Sequence, residues 1–505
     1  MSEQTTVRRL TLGVLLAGFE GTAATGAPYW LVDMLGKGLA GVTIFGRNIT
    51  HPHPVENLAE LAQGLRLGRP DLLVSIDEEG GDVTRLDADT GSMFLGQASL
   101  GVVDDVAQTR RASALLAARL AAAGVNLNFA PVADVAGEAA SPIVGSRPFG
   151  SDPSTVSCHV AAAVTGHLDS GVAATAKHFP GHGGTAEDSH LTLPVVEVDI
   201  ETLRSRELPP FHAAIAAGVP AIMTAHLRFP SLDPDHPATL SRAILTGLLR
   251  KQLGFDGVVV TDGLDMHAIS KTVGRSEAVV QALLAGVDLM CIGGDSVTPD
   301  VIEDIVTAVE NAVAAGRLPL QRLAEAQGRV AALARRFAWG RGHRDDASMS
   351  PMMEAAASSL TLVGEPRLEG VATVVELRNA PSIVAGDVSF GMGQSLRARR
   401  PRTRIVQVEQ GMPVPELGDG DVVVSVRDAH LHPWQSAMVD RLRQQHPDLV
   451  VVDHGGSASA ETLGKRAIIA RDASTIAAAA AAGVLIRGDG EPHDGTHERC
   501  DGEHG

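Results

Sequence analysis

Short β-branched runs alternate with helix-length stretches along the first two thirds of the chain, and that rhythm constrains the fold more than any other feature. The runs are Leu10 to Ala17, Gly41 to Phe45, Leu72 to Asp77, Val125 to Val135, Ala173 to Phe179, Ala221 to His226, Gly257 to Asp262 and Asp288 to Gly293. Strands separated in this way pair in parallel, because a crossover helix must carry the chain back before the next strand can join the same sheet. Between them the helices carry their own punctuation. Asp104 and Asp105 open one that Gly124 closes, Asp152-Pro153 supplies an N-cap and first-turn proline before Gly171, and Ser241 starts one that stops at Gly254. Eight such units from Leu10 to Phe337 predict an α/β chain built as a (β/α)8 TIM barrel with insertions. A doubly wound open sheet is the alternative.

A chain of 505 residues exceeds what one core supports. Five more runs, Val371 to Leu377, Arg404 to Val408, Val422 to Val426, Leu449 to Asp453 and Ala467 to Ala470, predict a smaller αβα sandwich after the barrel. The expected division is a catalytic barrel over residues 1–339, a linker at 340–349, the sandwich at 350–487 and a disordered tail at 488–505. The net charge of −18 argues against nucleic acid or an anionic membrane as partner. No run of 18 apolar residues could span a membrane, and Arg8-Arg9 with the short apolar run after it reads as part of a first strand instead of a signal peptide. Three cysteines, Cys158, Cys291 and Cys500, do not make a disulfide framework, which fits a reducing, cytoplasmic compartment.

Barrel enzymes carry their chemistry at the C-terminal ends of the strands, and polar residues gather there in this sequence. They are Asp77-Glu78-Glu79-Gly80-Gly81, Gly145-Ser146-Arg147, Lys177-His178, His226 and Asp262. The densest stretch runs from Ala176 to His190, a strand end passing into a glycine-rich loop. Asp262 is a lone carboxylate delivered by Val258-Val259-Val260-Thr261, placed to attack an electrophilic carbon or to stabilise a cationic transition state; an ion pair with a neighbouring base is the plain alternative. In Asp188-Ser189-His190 a carboxylate can fix one imidazole tautomer and leave the other nitrogen to exchange protons. Lys177, Arg85 and Arg147 supply donors and Asp77 an acceptor, a mixture that suits a polyhydroxylated ligand. His178 and His182 have His-x3-His spacing, but Pro180-Gly181 breaks the helix that would align them and strand one offers no histidine, so neither a metal nor another cofactor is expected.

These segments resemble glycoside hydrolase family 3 in its β-N-acetylglucosaminidase branch. Ile76 to Gly81 resembles that family's IDQEGG, Gly145 to Gly150 its GxRSFG, Lys177 to His190 its KHFPGHGDTxxDSH, and Val260 to Met266 the SDDLSM segment that holds the nucleophile. The resemblance implies Asp262 as nucleophile, His190 as acid/base and Asp188 as its partner, with Asp77, Arg85, Arg147, Lys177 and His178 holding a terminal N-acetylglucosamine. It also implies a retaining exo-hydrolase acting on a carbohydrate substrate, and a histidine acid/base that leaves inorganic phosphate open as an acceptor. A phosphorylase, a β-glucosidase of the same family and a catalytically silent sugar-binding protein are the alternatives. Three departures matter: Asp82 stands where arginine is usual, Gly184 replaces an aspartate, and Gly263 replaces the second aspartate of the nucleophile segment.

Overall fold

The structure is a computed structural model that describes residues 3–66, 68–137, 145–184, 193–294, 297–339, 350–379, 388, 390–455 and 463–486. The chain gathers into two compact units, and the division is not a single cut. Residues 1–78, 113–143 and 151–346 form the first, while 79–112, 144–150 and 347–505 form the second. The segments expected to serve as linker and tail lie outside the described residues.

In the first unit eight strands form one parallel sheet: β1 (Leu15–Ala17), β2 (Gly41–Ile44), β3 (Leu73–Ile76), β4 (Leu127–Asn128), β5 (Ala173–Phe179), β6 (Ala221–Thr224), β7 (Val258–Thr261) and β8 (Met290–Ile292). Their order is β7-β6-β5-β4-β3-β2-β1-β8, and a parallel bridge between Val260 and Leu289 brings the two ends of the sheet together. This is the (β/α)8 barrel. Every residue of these strands is buried, so most of them read as largely apolar runs and not as an alternation, while β4 ends in Asn128 and β5 carries Lys177 and His178 within it. The helix signals act as read: Asp152 accepts from Thr155 N–H at 2.7 Å, Ser241 Oγ from Ile244 N–H at 3.1 Å, and Gly124, Gly171 and Gly254 take the left-handed conformation after their helices.

Two runs are shorter than expected. Leu10 to Leu12 belongs to a helix, Glu3–Leu12, whose Val7 and Leu10 are buried at helical spacing, so β1 begins only at Leu15. Val125 to Val135 pairs as a strand at Leu127–Asn128 alone, because Pro131 has no N–H to give and the ladder resumes only as a bridge from Val132 to Lys177. Cys291 is a free, buried thiol.

The second unit holds a six-stranded sheet in the order β11-β10-β12-β13-β14-β9, made of β9 (Thr361–Val363), β10 (Ala372–Arg378), β11 (Arg404–Glu409), β12 (Asp421–Val426), β13 (Val450–Asp453) and β14 (Ala467–Ile469). All pairs are parallel except β14 with β9. One face packs Val375, Val424 and Val451 against Met438 and Leu442 of helix Pro433–Gln445. The other packs Val374, Val423 and Val452 against Leu396 of helix Gly393–Arg399 and Ala478, Ala481 and Leu485 of helix Thr475–Ile486. Helices on both faces make the αβα sandwich. The antiparallel strand β9 went unforeseen, being three residues long and half exposed at Leu362. Among the described residues no helix is long and apolar enough to cross a membrane.

Candidate active site

In the barrel, β7 delivers half-buried Asp262 at its C-terminal end and β3 delivers Asp77 at the matching position of its own strand. Burial pushes the Cys291 thiol of β8 up; a hydrogen bond with Thr43 opposes the shift, and the charges of Asp265, Asp77 and Asp262 add to it. The Gly263 N–H donates to Asp262 Oδ1 at 2.7 Å, which fixes the carboxylate against its own backbone. His226, at the end of β6, donates from Nε2 to the Gly263 carbonyl at 3.0 Å, while its Nδ1 lies 2.7 Å from Thr239 Oγ1. His226 therefore braces the backbone beside Asp262.

β5 contributes the opposite charge. Lys177, buried to 2% exposure along its side chain, donates from Nζ to Asp77 Oδ1 at 2.7 Å. A buried ammonium needs such a partner, and the pair joins donor and acceptor at one place, as gripping sugar hydroxyls requires. His178 Nδ1 lies 2.8 Å from Asp134 Oδ2, and Asp134 Oδ1 accepts from the backbone N–H groups of His178 at 3.1 Å and His182 at 2.8 Å. Burial alone would raise Asp134, but the charge and hydrogen bonds of His178, helped by His182, outweigh it and hold this carboxyl below its ordinary range. An ionised Asp134 makes Nδ1 the protonated nitrogen of His178 and fixes the ring by two backbone clamps.

Glu207 lies beneath the glycine-rich segment that follows β5. A Cβ on Gly181, at φ +135°, would sit 2.4 Å from Glu207 Oε2, so only glycine permits this approach. Burial pushes Glu207 up to about 7; Arg206, 3.1 Å away, opposes the shift and the charge of Asp134 adds to it. At Gly184 a Cβ would have Val196 3.7 Å away and Arg206 Nη1 3.9 Å away, so the missing side chain leaves room and no clash.

Arg85 and Arg147 belong to the second unit, where Arg85 is half-buried. Arg147 makes a two-point ion pair with Glu79, at 2.9 Å from Nε and 2.6 Å from Nη2, and its carbonyl accepts from Gln97 Nε2 at 2.9 Å. Asp188 and His190 lie outside the described residues. Sequence reasoning missed Asp134, Asp265 and Glu207. The first was detectable as the only acid in the apolar run Val125 to Val135. Among the described residues no group of three or more histidine, cysteine, aspartate or glutamate side chains is arranged to hold a metal ion.

The sequence matches the profile of the glycosyl hydrolase family 3 N terminal domain over residues 32–333. A beta-hexosaminidase of Pseudomonas aeruginosa (strain LESB58) is 38% identical over 264 residues, covering 51% of this chain and 76% of that protein. Beta-hexosaminidase A of Pseudoalteromonas piscicida is 34% identical over 287 residues, 53% of this chain and 48% of that protein, so the chain spans about half the length of this relative. A solved structure of a glycoside hydrolase family 3 beta-N-acetylglucosaminidase from Paenibacillus sp. str. FPU-7 superposes with a TM-score of 0.83 at 31% identity, over 96% of both chains.

Proposed function

The chain belongs to glycosyl hydrolase family 3, and from that premise we propose that it is a retaining exo-β-N-acetylglucosaminidase releasing terminal N-acetylglucosamine from the non-reducing end of a glycan. One observation carries the reading: Asp262 and Asp77 stand just past the C-terminal ends of β7 and β3 of one barrel, with Lys177 of β5 bonded to the second of them. A nucleophilic carboxylate beside a hydroxyl-gripping pair is what attack on a sugar's anomeric carbon needs. Asp262 forms the bond to that carbon as the glycosidic bond breaks, and His190, oriented by Asp188, gives its proton to the departing oxygen. Neutral His190 then takes a proton from water, whose oxygen displaces Asp262 and frees the sugar. The Asp188-Ser189-His190 element supports this branch over the β-glucosidases, as do the hexosaminidase names of the relatives. Because an imidazole carries no negative charge when it acts as base, phosphate can take the place of water and yield the sugar 1-phosphate.

The test is incubation with a 5-fluoro N-acetylglucosaminide and mass spectrometry of the peptides. An adduct on Asp262, with turnover of aryl N-acetylglucosaminide well above aryl glucoside, is expected. No adduct and no turnover would leave a sugar-binding protein, and parallel assays with and without phosphate decide the acceptor.

A further inference from the structure

The turn Glu79-Gly80-Gly81-Asp82-Val83 closes on itself, with Glu79 N–H donating to the Val83 carbonyl at 2.9 Å and Val83 N–H to the Gly80 carbonyl at 3.3 Å. Gly80 and Gly81 take φ +85° and +57°, and a Cβ on Gly81 would lie 2.6 Å from the Gly96 Cα, so the turn has no room to shift. Its two acids grip two consecutive residues. Glu79 holds the guanidinium of Arg147 at both oxygens, and Asp82 accepts the hydroxyl of Ser146. The rest of Asp82 is held from the far end of the sequence: Arg427 Nη2 stands 3.2 Å from Oδ2, and the Ala473 N–H donates to Oδ1 at 2.9 Å. All these residues lie in the second unit.

Asp82 and Ser146 are buried, at 6% and 5% exposure, so the carboxylate has little water to fall back on. A buried charge with three protein donors is a firm anchor, and removing any one of them leaves the rest poorly compensated. The motif position that is usually arginine is here the acid that Arg427 requires; an arginine at 82 would put two guanidinium groups together in a buried place. The departure from the motif is therefore matched by a partner over 300 residues away in the chain.

We propose that Asp82 is a positioning residue for Arg147, fixing the sugar-gripping guanidinium through Ser146 while Arg427 and Ala473 fix Asp82, which gives the C-terminal part of the chain a part in holding substrate. This rests on the proposed function and on the family resemblance, which implies that Arg147 holds the terminal sugar. The experiment measures kcat and KM of the full chain on aryl N-acetylglucosaminide for wild type, Ser146→Ala, Asp82→Asn, Arg147→Ala and the double variant Ser146→Ala/Arg147→Ala. Ser146→Ala removes a single hydroxyl, so it reads the contact even if Asp82→Asn fails to fold. KM rising about tenfold in Ser146→Ala with kcat within about twofold, and a double variant no worse than Arg147→Ala alone, is the expected result. Ser146→Ala with an unchanged KM, or a loss that adds in full to that of Arg147→Ala, would overturn the positioning role while leaving the glycosidase reading intact. A wild type that turns over no aryl N-acetylglucosaminide would remove both.

Discussion

Asp134 in the barrel and Asp453 at the end of β13 in the sandwich are both sealed from water, yet they titrate in opposite directions. Asp134 meets His178 twice and His182 once, and these contacts overcome burial. Asp453 has one carboxylate oxygen bonded to the Gly455 N–H at 2.8 Å and the other, Oδ2, without a hydrogen bond. Burial pushes it up to about 7, and the charges of Asp428 and Asp82 add to the shift against backbone donors at Gly455 and Asp428. Burial sets the size of the penalty and the neighbours set its sign. Glu207 shows that the domain does not matter: it shares the barrel with Asp134 and rises with Asp453.

The largest way to break the comparison is Asp453→Asn, which mimics the protonated acid. Asp453 has a folded pKa near 7 against an unfolded value of 3.8. Its stabilising contribution is therefore complete below the unfolded value and is lost as pH rises through 7. Above pH 7 the variant should be more stable than wild type by on the order of 4 kcal/mol, and near pH 4 the two should coincide. Urea unfolding can be followed at Trp434, the only tryptophan of the second unit, in a background with Trp30→Phe and Trp339→Phe. A stability difference that does not change with pH would show that Asp453 is not the titrating group.

Asp134→Asn tests the other side. The depressed folded pKa makes its contribution present above the ordinary carboxylate range and lost as pH falls through the folded value, the reverse of Asp453. Losing the anion frees the His178 ring from its fixed tautomer and weakens the clamps on His178 and His182. The kcat/KM on aryl N-acetylglucosaminide should fall on the order of a hundredfold, as loss of a ligand-orienting carboxylate generally costs. Activity within a few-fold of wild type would mean that His178 is held by packing and not by Asp134.

The barrel strands were legible because they are buried on both sides and so form largely apolar runs. Asp77 and Asp262 were legible as the carboxylates where two of those runs stop, and Lys177 and His178 as charged or protonatable residues within a third. Asp134 is marked locally only as the one acid of its apolar run, and its role was hidden because its partners, His178 of β5 and His182 just after it, arrive more than forty residues later. The placement of residues 79–112 with the second unit was equally hidden, since it depends on pairings such as Asp82 with Arg427 and Gly96 N–H with Asp472. Sequence order says nothing about such distant contacts. The short strand β9 failed for the opposite reason, being too brief and too exposed to leave a pattern.

The smallest effect concerns the departure beside the nucleophile. The acid missing at Gly263 reappears two residues on at Asp265, and the two positions exclude each other. A Cβ on Gly263 would stand 3.1 Å from Asp265 Oδ1, tight enough that the carboxylate must give way, and on its other side Asp265 faces Gly294, where a Cβ would meet Oδ2 at 2.2 Å. Strain at 263 would pass through the Gly263 N–H to Asp262 and through the Gly263 carbonyl to His226. Gly263→Ala should therefore lower kcat/KM about fivefold, a modest displacement of a reacting carboxylate. Adding Asp265→Ser removes the obstructing oxygens and should restore most of the loss. If the double variant stays as slow as Gly263→Ala, the glycine serves the backbone conformation itself and the pairing of the two positions is wrong.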